Sequence, residues 1–222
     1  MIGDLNTRTR TEQKRGDTQA ILLEKLLPTH VAEKLLSDES SYAARYPDVS
    51  VIYANLHGLG QVGDLQTPEE TLARLDGLIA LFDESAETCG IEKVKTLGAD
   101  YLALCGANVA RLDHARRTLE FAEDLLEQLA FFNQQHGLTL SMSVGLAAGS
   151  VCSGVVGRSL RVYEVWGKTV DQAMDSLAKE APPGSIWMTD AFKAELDDAA
   201  RLEPVSSSIG QVWTLKHGET KA

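Results

Sequence analysis

Asp171 and Asp175 stand four residues apart in a stretch of helical periodicity, so both carboxylates fall on one face, one turn apart. Such a pair presents two acceptors and negative charge, and no donor. At ~4 Å each carboxylate repels a phosphate charge by about 1 kcal/mol in water and about 4 kcal/mol at an effective dielectric near 20. That face is hostile to an anion. Other reactive types are scattered. Glu92 and Lys93 open an alternating segment and read most simply as a solvated strand pair. Cys89, Cys105 and Cys152 are odd in number, without metal-ligand spacing, and read as reduced, packed thiols. His57 has no second His or Cys to complete a metal set. Gly145, Gly149, Gly154 and Gly157 are not followed by a helix opening with Gly-Lys-Ser/Thr, so they do not cradle phosphate.

The elements that must position these residues follow from periodicity. A helix over 11–37 is interrupted at Pro28, and Thr29 caps a second short helix with Val31, Leu35 and Leu36 on its apolar face. Residues 48–56 are rich in β-branched and aromatic types and predict a buried strand. A helix from about Thr67 to Thr88 carries Leu72, Leu75, Leu78, Ile79 and Phe82 on one face and ends at Cys89-Gly90. Residues 91–106 alternate around Gly98, a tight hairpin. A second long helix runs from about Asp113 to His136, stopped by Gly137. Residues 138–157 predict two strands around Gly149, followed by a helix over 168–180, a strand over 185–189, a short helix and two terminal strands. The order β-α-β-β-α-β predicts an α+β, ferredoxin-like antiparallel sheet with helices on one face. Trp166, Trp187 and Trp213 read as sheet and interface packing.

With 222 residues, 44% apolar and 24% charged, the chain holds one substantial domain and a short appendage. We expect a polar tail over 1–17, a helical connector over 18–45, the domain over 46–216 and a tail over 217–222. A net charge of −11 argues against nucleic acid or an anionic membrane surface as partner. No apolar run approaches the ~18 residues of a membrane span, and no signal-peptide core is seen at the N-terminus, so the expected location is cytoplasmic. The helical connector leaves open an upstream sensor or membrane domain, the chain then being the cytosolic portion of a larger receptor.

Four ordered segments, VSVIYANLHGL (49–59), IEKVKTLGADYLALCG (91–106), LSMSVGLAAGSVCSGVVG (140–157) and YEVWGKTVDQA (163–173), resemble class III adenylate and guanylate cyclase catalytic domains. Their family counterparts look like V-T-V-L-F-A-D-I-V-G-F, E-K-I-K-T-I-G-D-A-Y-M-A, L-R-I-G-I-H-T-G-x-V-x-A-G-V-V-G and Y-D-V-W-G-D-T-V-N-x-A-S-R. LLPTHVAEKLL (26–36) resembles the transducing element that precedes many such domains. The resemblance covers about residues 22 to 216. It implies the class III nucleotidyl cyclase fold and an active site shared across a two-fold dimer. In that site two aspartates hold two Mg²⁺ or Mn²⁺ ions, a Lys and an Asp read adenine, and an Asn and an Arg stabilise the transition state. There the ribose 3′-hydroxyl attacks the α-phosphate and pyrophosphate leaves.

Carried over residue by residue, the resemblance places Asn55 and Ala99 at the metal aspartate positions. Asp100 lies one residue beyond, where strand alternation predicts a side chain on the opposite face. Lys93 and Glu164 fall at the base-recognition positions. Asp171 and Asp175 replace the transition-state Asn and Arg. VSSSIG (205–210) replaces the lysine-bearing phosphate turn, and Ser159, between Arg158 and Arg161, replaces a phosphate-binding arginine. Arg158 and Arg161 read as arm residues at a dimer interface, an anion contact being the alternative. The resulting expectation is a degenerate cyclase domain, catalytically inactive and without a cofactor. It would act as a dimerisation or signal-transmitting module, as a homodimer or with another cyclase-type domain. The alternatives are an active adenylate cyclase, alone or as half of a heterodimer and then requiring Mg²⁺ or Mn²⁺, and a nucleotide or small-molecule sensor using the vestigial cleft.

Overall fold

The structure is a computed structural model, and it describes residues 27–37, 41–60, 67–98, 100–159, 161–197 and 199–216. The tails expected over 1–17 and 217–222, the helix expected over 11–26, and Ala99 lie outside those residues. The chain divides into two compact units, residues 45–153 with 165–222, and residues 1–44 with 154–164. The second grouping joins a hairpin tip to the N-terminal segment, whereas the domain expected over 46–216 includes that tip.

In chain order the elements are α1 (Thr29–Leu36), β1 (Ala43–His57), α2 (Pro68–Cys89), β2 (Glu92–Leu97) and β3 (Asp100–Cys105). There follow α3 (His114–His136), β4 (Ser141–Val156), β5 (Val162–Trp166), α4 (Lys168–Asp171) and π-helical turns over Gln172–Ala178. The chain closes with β6 (Ile186–Met188), α5 (Asp190–Ala194), a 3₁₀ turn (Ala199–Arg201), β7 (Leu202–Ser207) and β8 (Gly210–Leu215). Strands run in the order β2-β3-β1-β4-β6-β8-β7, with β5 on β4. The first four neighbours are the ferredoxin-like βαββαβ core; β4 pairs parallel with β6, and β8 extends the sheet antiparallel.

Local chemistry fixes the long helices. Thr67 and Glu70 exchange side-chain and backbone bonds in a capping box at the start of α2, with Pro68 in the first turn. Gly90 and Gly137 close α2 and α3 in the left-handed conformation at φ 69° and 64°. One face of each helix is buried on the sheet. Leu78, Phe82 and Ala86 of α2 and Ala122, Leu125, Leu129 and Phe132 of α3 pack against Ile52, Ala54, Tyr101 and Ala103. Leu72, expected on that buried face, is 66% exposed, because the core begins on α2 only at Leu75.

Two strand expectations are corrected. β4 is one continuous strand, not two around Gly149. That glycine, at φ 146°, makes no turn; a Cβ there would meet Thr169 Oγ1 at 2.9 Å, so it serves a close approach. β5 is an element that periodicity does not reveal. In the smaller unit, Tyr42 is 4% exposed, its ring 5.9 Å from His30 and 6.3 Å from Tyr163, and Val155 N–H donates to its carbonyl at 3.0 Å. No helix among the described residues is long and apolar enough to cross a membrane.

Candidate functional site

The register of the central strands decides which side chains share a face. β1 and β3 pair antiparallel with Ile52 opposite Ala103, Tyr53 opposite Leu102 and Ala54 opposite Tyr101. Directly opposed residues lie on the same side of a sheet. Ile52, Ala54, Tyr101 and Ala103 face the helices, so Tyr53 and Asn55 face the other way, with Leu102 and Asp100 across from them. The expectation that Asp100 points away from Asn55 is therefore overturned. Its face is set by pairing with β1, not by its count from Gly98.

Asp100 accepts three hydrogen bonds there. Tyr53 Oη donates to Oδ2 at 2.8 Å, Asn55 Nδ2 donates to the same oxygen at 2.9 Å, and Leu56 N–H donates to Oδ1 at 2.8 Å. The Asn55 amide must turn its nitrogen to Asp100, since its oxygen would put two acceptors in contact. Burial first, and then the Asp100 hydrogen bond and the charges of Asp100 and Asp175, push the Tyr53 phenol far above its ordinary value of 10. Tyr53 is thus a held proton donor at neutral pH. Asp175 is close enough to act on it although the two lie on different elements.

Asp171 and Asp175 lie on the helical segment that the spacing predicts. Both side chains are exposed, Asp171 at the end of α4 and Asp175 in the π-helical turns, where Lys179 one turn on forms an ion pair with Asp175. Gly145 of β4 seats this segment: a Cβ there would lie 2.2 Å from the Ala173 carbonyl oxygen and 2.8 Å from Ala178 N. The helix approaches the sheet as closely as backbone allows.

Lys93 is placed elsewhere. It lies opposite Ala103, in the row that faces the helices, and its Nζ bonds Asp83 of α2 at 2.7 Å, 5.2 Å above the Tyr101 ring. Asp83 also takes the Tyr101 hydroxyl at 2.7 Å. The base-recognition position expected of Lys93 is not on the Tyr53 face, and Lys93 does not pair with Glu92. Glu92 instead accepts the backbone N–H of Asn108 at 2.9 Å. A bulge between Lys93 and Lys95 resets the alternation, so Lys95 stands opposite Leu102 in the row that contains Tyr53. Sequence reasoning missed both Lys95 and Tyr53.

In the smaller unit, Glu164 is half-buried on β5, while Arg158 and Arg161 are exposed near the hairpin tip. His57 Nε2 contacts Ser143 Oγ at 2.9 Å, a packed histidine.

A family model described as the adenylate and guanylate cyclase catalytic domain matches residues 41–209. The chain belongs to that family. Relatives of this cyclase domain include the adenylate cyclases of Mycobacterium bovis and Mycobacterium tuberculosis, 31% identical over 205 residues, covering 90% of this chain and 46% of theirs. A head-specific guanylate cyclase of Drosophila melanogaster is 29% identical over 204 residues, covering 88% of this chain and 30% of its own. The chain thus spans about half or less of these relatives' length. Among solved structures, the guanylate cyclase domain from Catenaria anguillulae in complex with GTP superposes with a TM-score of 0.71 at 24% identity, covering 78% of this chain and 98% of that one. A dimeric guanylyl cyclase domain from Blastocladiella emersonii gives 0.71 at 24% identity, with 79% and 97% covered. At these identities the structures establish the cyclase fold alone.

The donor set can be tested against the cations that the family implies. Such ions need carboxylates turned toward them with free oxygen lone pairs. Here Asn55 brings no charge and directs its N–H groups at Asp100, and Tyr53 adds a second donor to the same oxygen. No group of three or more His, Cys, Asp or Glu side chains among the described residues is arranged to hold a metal. The described residues do not fit a two-cation site.

Proposed function

We propose that this cyclase domain does not convert nucleoside triphosphates to cyclic nucleotides and serves as a dimerisation or signal-transmitting module in cytoplasmic cyclic-nucleotide signalling. The observation that carries this reading is the Asp171–Asp175 pair. Both carboxylates are exposed, and the resemblance aligns them with the amide and the guanidinium of the family motif. An oxyanion-stabilising donor contributes ~3 kcal/mol or more to such a transition state, and replacing it with a carboxylate adds repulsion to that loss. The tip of the β4–β5 hairpin supports a role in association. It exposes Val156 (53%) and Val162 (39%) beside Arg158 and Arg161, an apolar and cationic tip on a chain of net charge −11. α1, packed through His30 and Lys34 against Tyr42 in the same unit as that tip, is the proposed route from an upstream sensor.

The test is direct. Purified protein is incubated with ATP or GTP and Mg²⁺ or Mn²⁺, cyclic nucleotide and pyrophosphate are measured, and sedimentation reports the oligomer. Dimers without cyclic product are expected; turnover comparable to ordinary cyclases would overturn the reading. A second reading, half of a heterodimeric adenylate cyclase, draws on Lys95, which places a cation in the Tyr53 row. Mixing the chain with a cyclase domain that carries both metal aspartates tests it: cyclic AMP made only by the mixture supports it.

A further inference from the structure

The clamp on Asp100 combines three features. The residue that replaces the family's first metal aspartate, Asn55, donates to Asp100 at 2.9 Å. The residue two positions earlier on the same face, Tyr53, stands where the family motif has Phe, and its added hydroxyl donates to the same oxygen at 2.8 Å. The second oxygen is taken by Leu56 N–H at 2.8 Å. Two departures from the family pattern therefore converge on one atom. Asp100 is half-buried at the hairpin end of β3, and a carboxylate withdrawn that far from water is destabilised unless a cation or hydrogen-bond donors satisfy it.

We propose that Tyr53 and Asn55 are a built-in replacement for the divalent cation at Asp100, so that this half of the cleft keeps its shape without metal and rejects one. Entry of a cation would require the phenol and the amide both to turn away, because N–H and O–H groups directed at a metal repel it. The inference deepens the inactive-module reading, since it names what took the ion's place. It differs from simple loss, in which an orphaned aspartate would remain, able to take up ions weakly. It also makes Tyr53, which no cyclase motif singles out, the residue that sets metal exclusion.

The experiment uses the full chain and reads Mn²⁺ binding, not turnover, so its outcome is separable from that of the activity assay. Wild type, Tyr53→Phe, Asn55→Asp and the double variant are titrated with Mn²⁺ by calorimetry and by the free-ion electron paramagnetic resonance signal. Each melting temperature is recorded with chelator and with Mn²⁺. In wild type we expect no site that Asp100→Asn removes, and a melting temperature indifferent to chelator. The double variant should gain at least tenfold in Mn²⁺ affinity, lost again on adding Asp100→Asn. It should melt lower than wild type in chelator, where two adjacent carboxylates repel, and recover with Mn²⁺. Two results would overturn the proposal. One is a wild-type chain that binds Mn²⁺ at Asp100 as tightly as the double variant; the other is a double variant, folded by circular dichroism, that gains no site. Should the double variant fail to fold, the two single variants decide through their melting temperatures in chelator: each should melt below wild type by losing a donor to Asp100, and two unchanged values would overturn the clamp.

Discussion

The Tyr53 phenol is a hydrogen-bond donor only while it keeps its proton, and its surroundings enforce that. Burial and the neighbouring carboxylates raise its pKa, and burial with the Asp83 contact does the same for Tyr101. A group whose pKa is raised on folding contributes stability that is complete below its unfolded value, near 10, and is lost as pH rises through the folded value. Tyr53 and Tyr101 should therefore stay protonated well above pH 10 and release their protons only as the protein unfolds at high pH. Phenolate absorbance of wild type against Tyr53→Phe and Tyr101→Phe in an alkaline titration checks this; either phenol ionising near pH 10 while the protein is still folded would contradict it. Tyr53→Phe removes one bond to a charged acceptor and should cost about 1.5 kcal/mol, or roughly 3–6 °C in melting temperature for a chain of this size. An unchanged melting temperature would mean that the hydroxyl bond adds nothing net. At this scale the sequence is partly legible. Asp171 and Asp175 can be placed because helical spacing alone puts them on one face. Asp100 cannot, since its direction depends on the register with β1, and Lys93 and Lys95 are mis-sorted by strict alternation because a bulge breaks it. Tyr53 is hidden because an apolar count treats Tyr and Phe alike.

Among the elements, the helices are readable and the glycine-bearing strands are not. α2 and α3 announce themselves by a long apolar stripe, the Thr67–Glu70 capping box and the glycines that end them. β4 reads as two strands because Gly149 resembles a turn, whereas its use is to admit Thr169, and β5 is too short to give a periodic signal. Gly145 carries the clearest element-scale consequence. Any side chain there meets the backbone of the π-helical turns, at 2.2 Å from the Ala173 carbonyl oxygen. Backbone cannot rotate aside as a side-chain end can, so Gly145→Ala must push away the segment that bears Asp175. It should destabilise by about 3 kcal/mol, the upper end for overpacking. Gly77, inside α2, is the matched control, because a methyl group there would have nothing within 4 Å. Gly77→Ala should stabilise by roughly 0.5–1 kcal/mol through helix propensity and reduced unfolded-state entropy. Denaturant unfolding of the two variants gives opposite signs if close approach, and not glycine loss in general, is what matters; equal signs would refute the assignment.

For the whole molecule, the deciding quantity is the balance between charge and exposed apolar surface. Two copies of a chain with net charge −11 repel, and that repulsion is long-ranged and screened, with a Debye length of ~10 Å at 0.1 M salt. Apolar contact between copies, such as Val156 and Val162 at the hairpin tip offer, is short-ranged and not weakened by salt. If apolar burial holds a dimer together against like charge, adding salt should tighten it, and the dissociation constant measured by sedimentation should fall several-fold from low to physiological ionic strength. Val156→Glu with Val162→Glu should then raise the constant at least tenfold and steepen its dependence on salt, because added charge joins the repulsion that salt screens. The opposite slope, a dimer that loosens as salt is added, would mean that Arg158 and Arg161 hold it through ion pairs with carboxylates of a second copy. In that case Arg158→Ala with Arg161→Ala would abolish the slope while the valine variants left it in place. The sign of one salt titration thus separates an apolar arm from a cationic one.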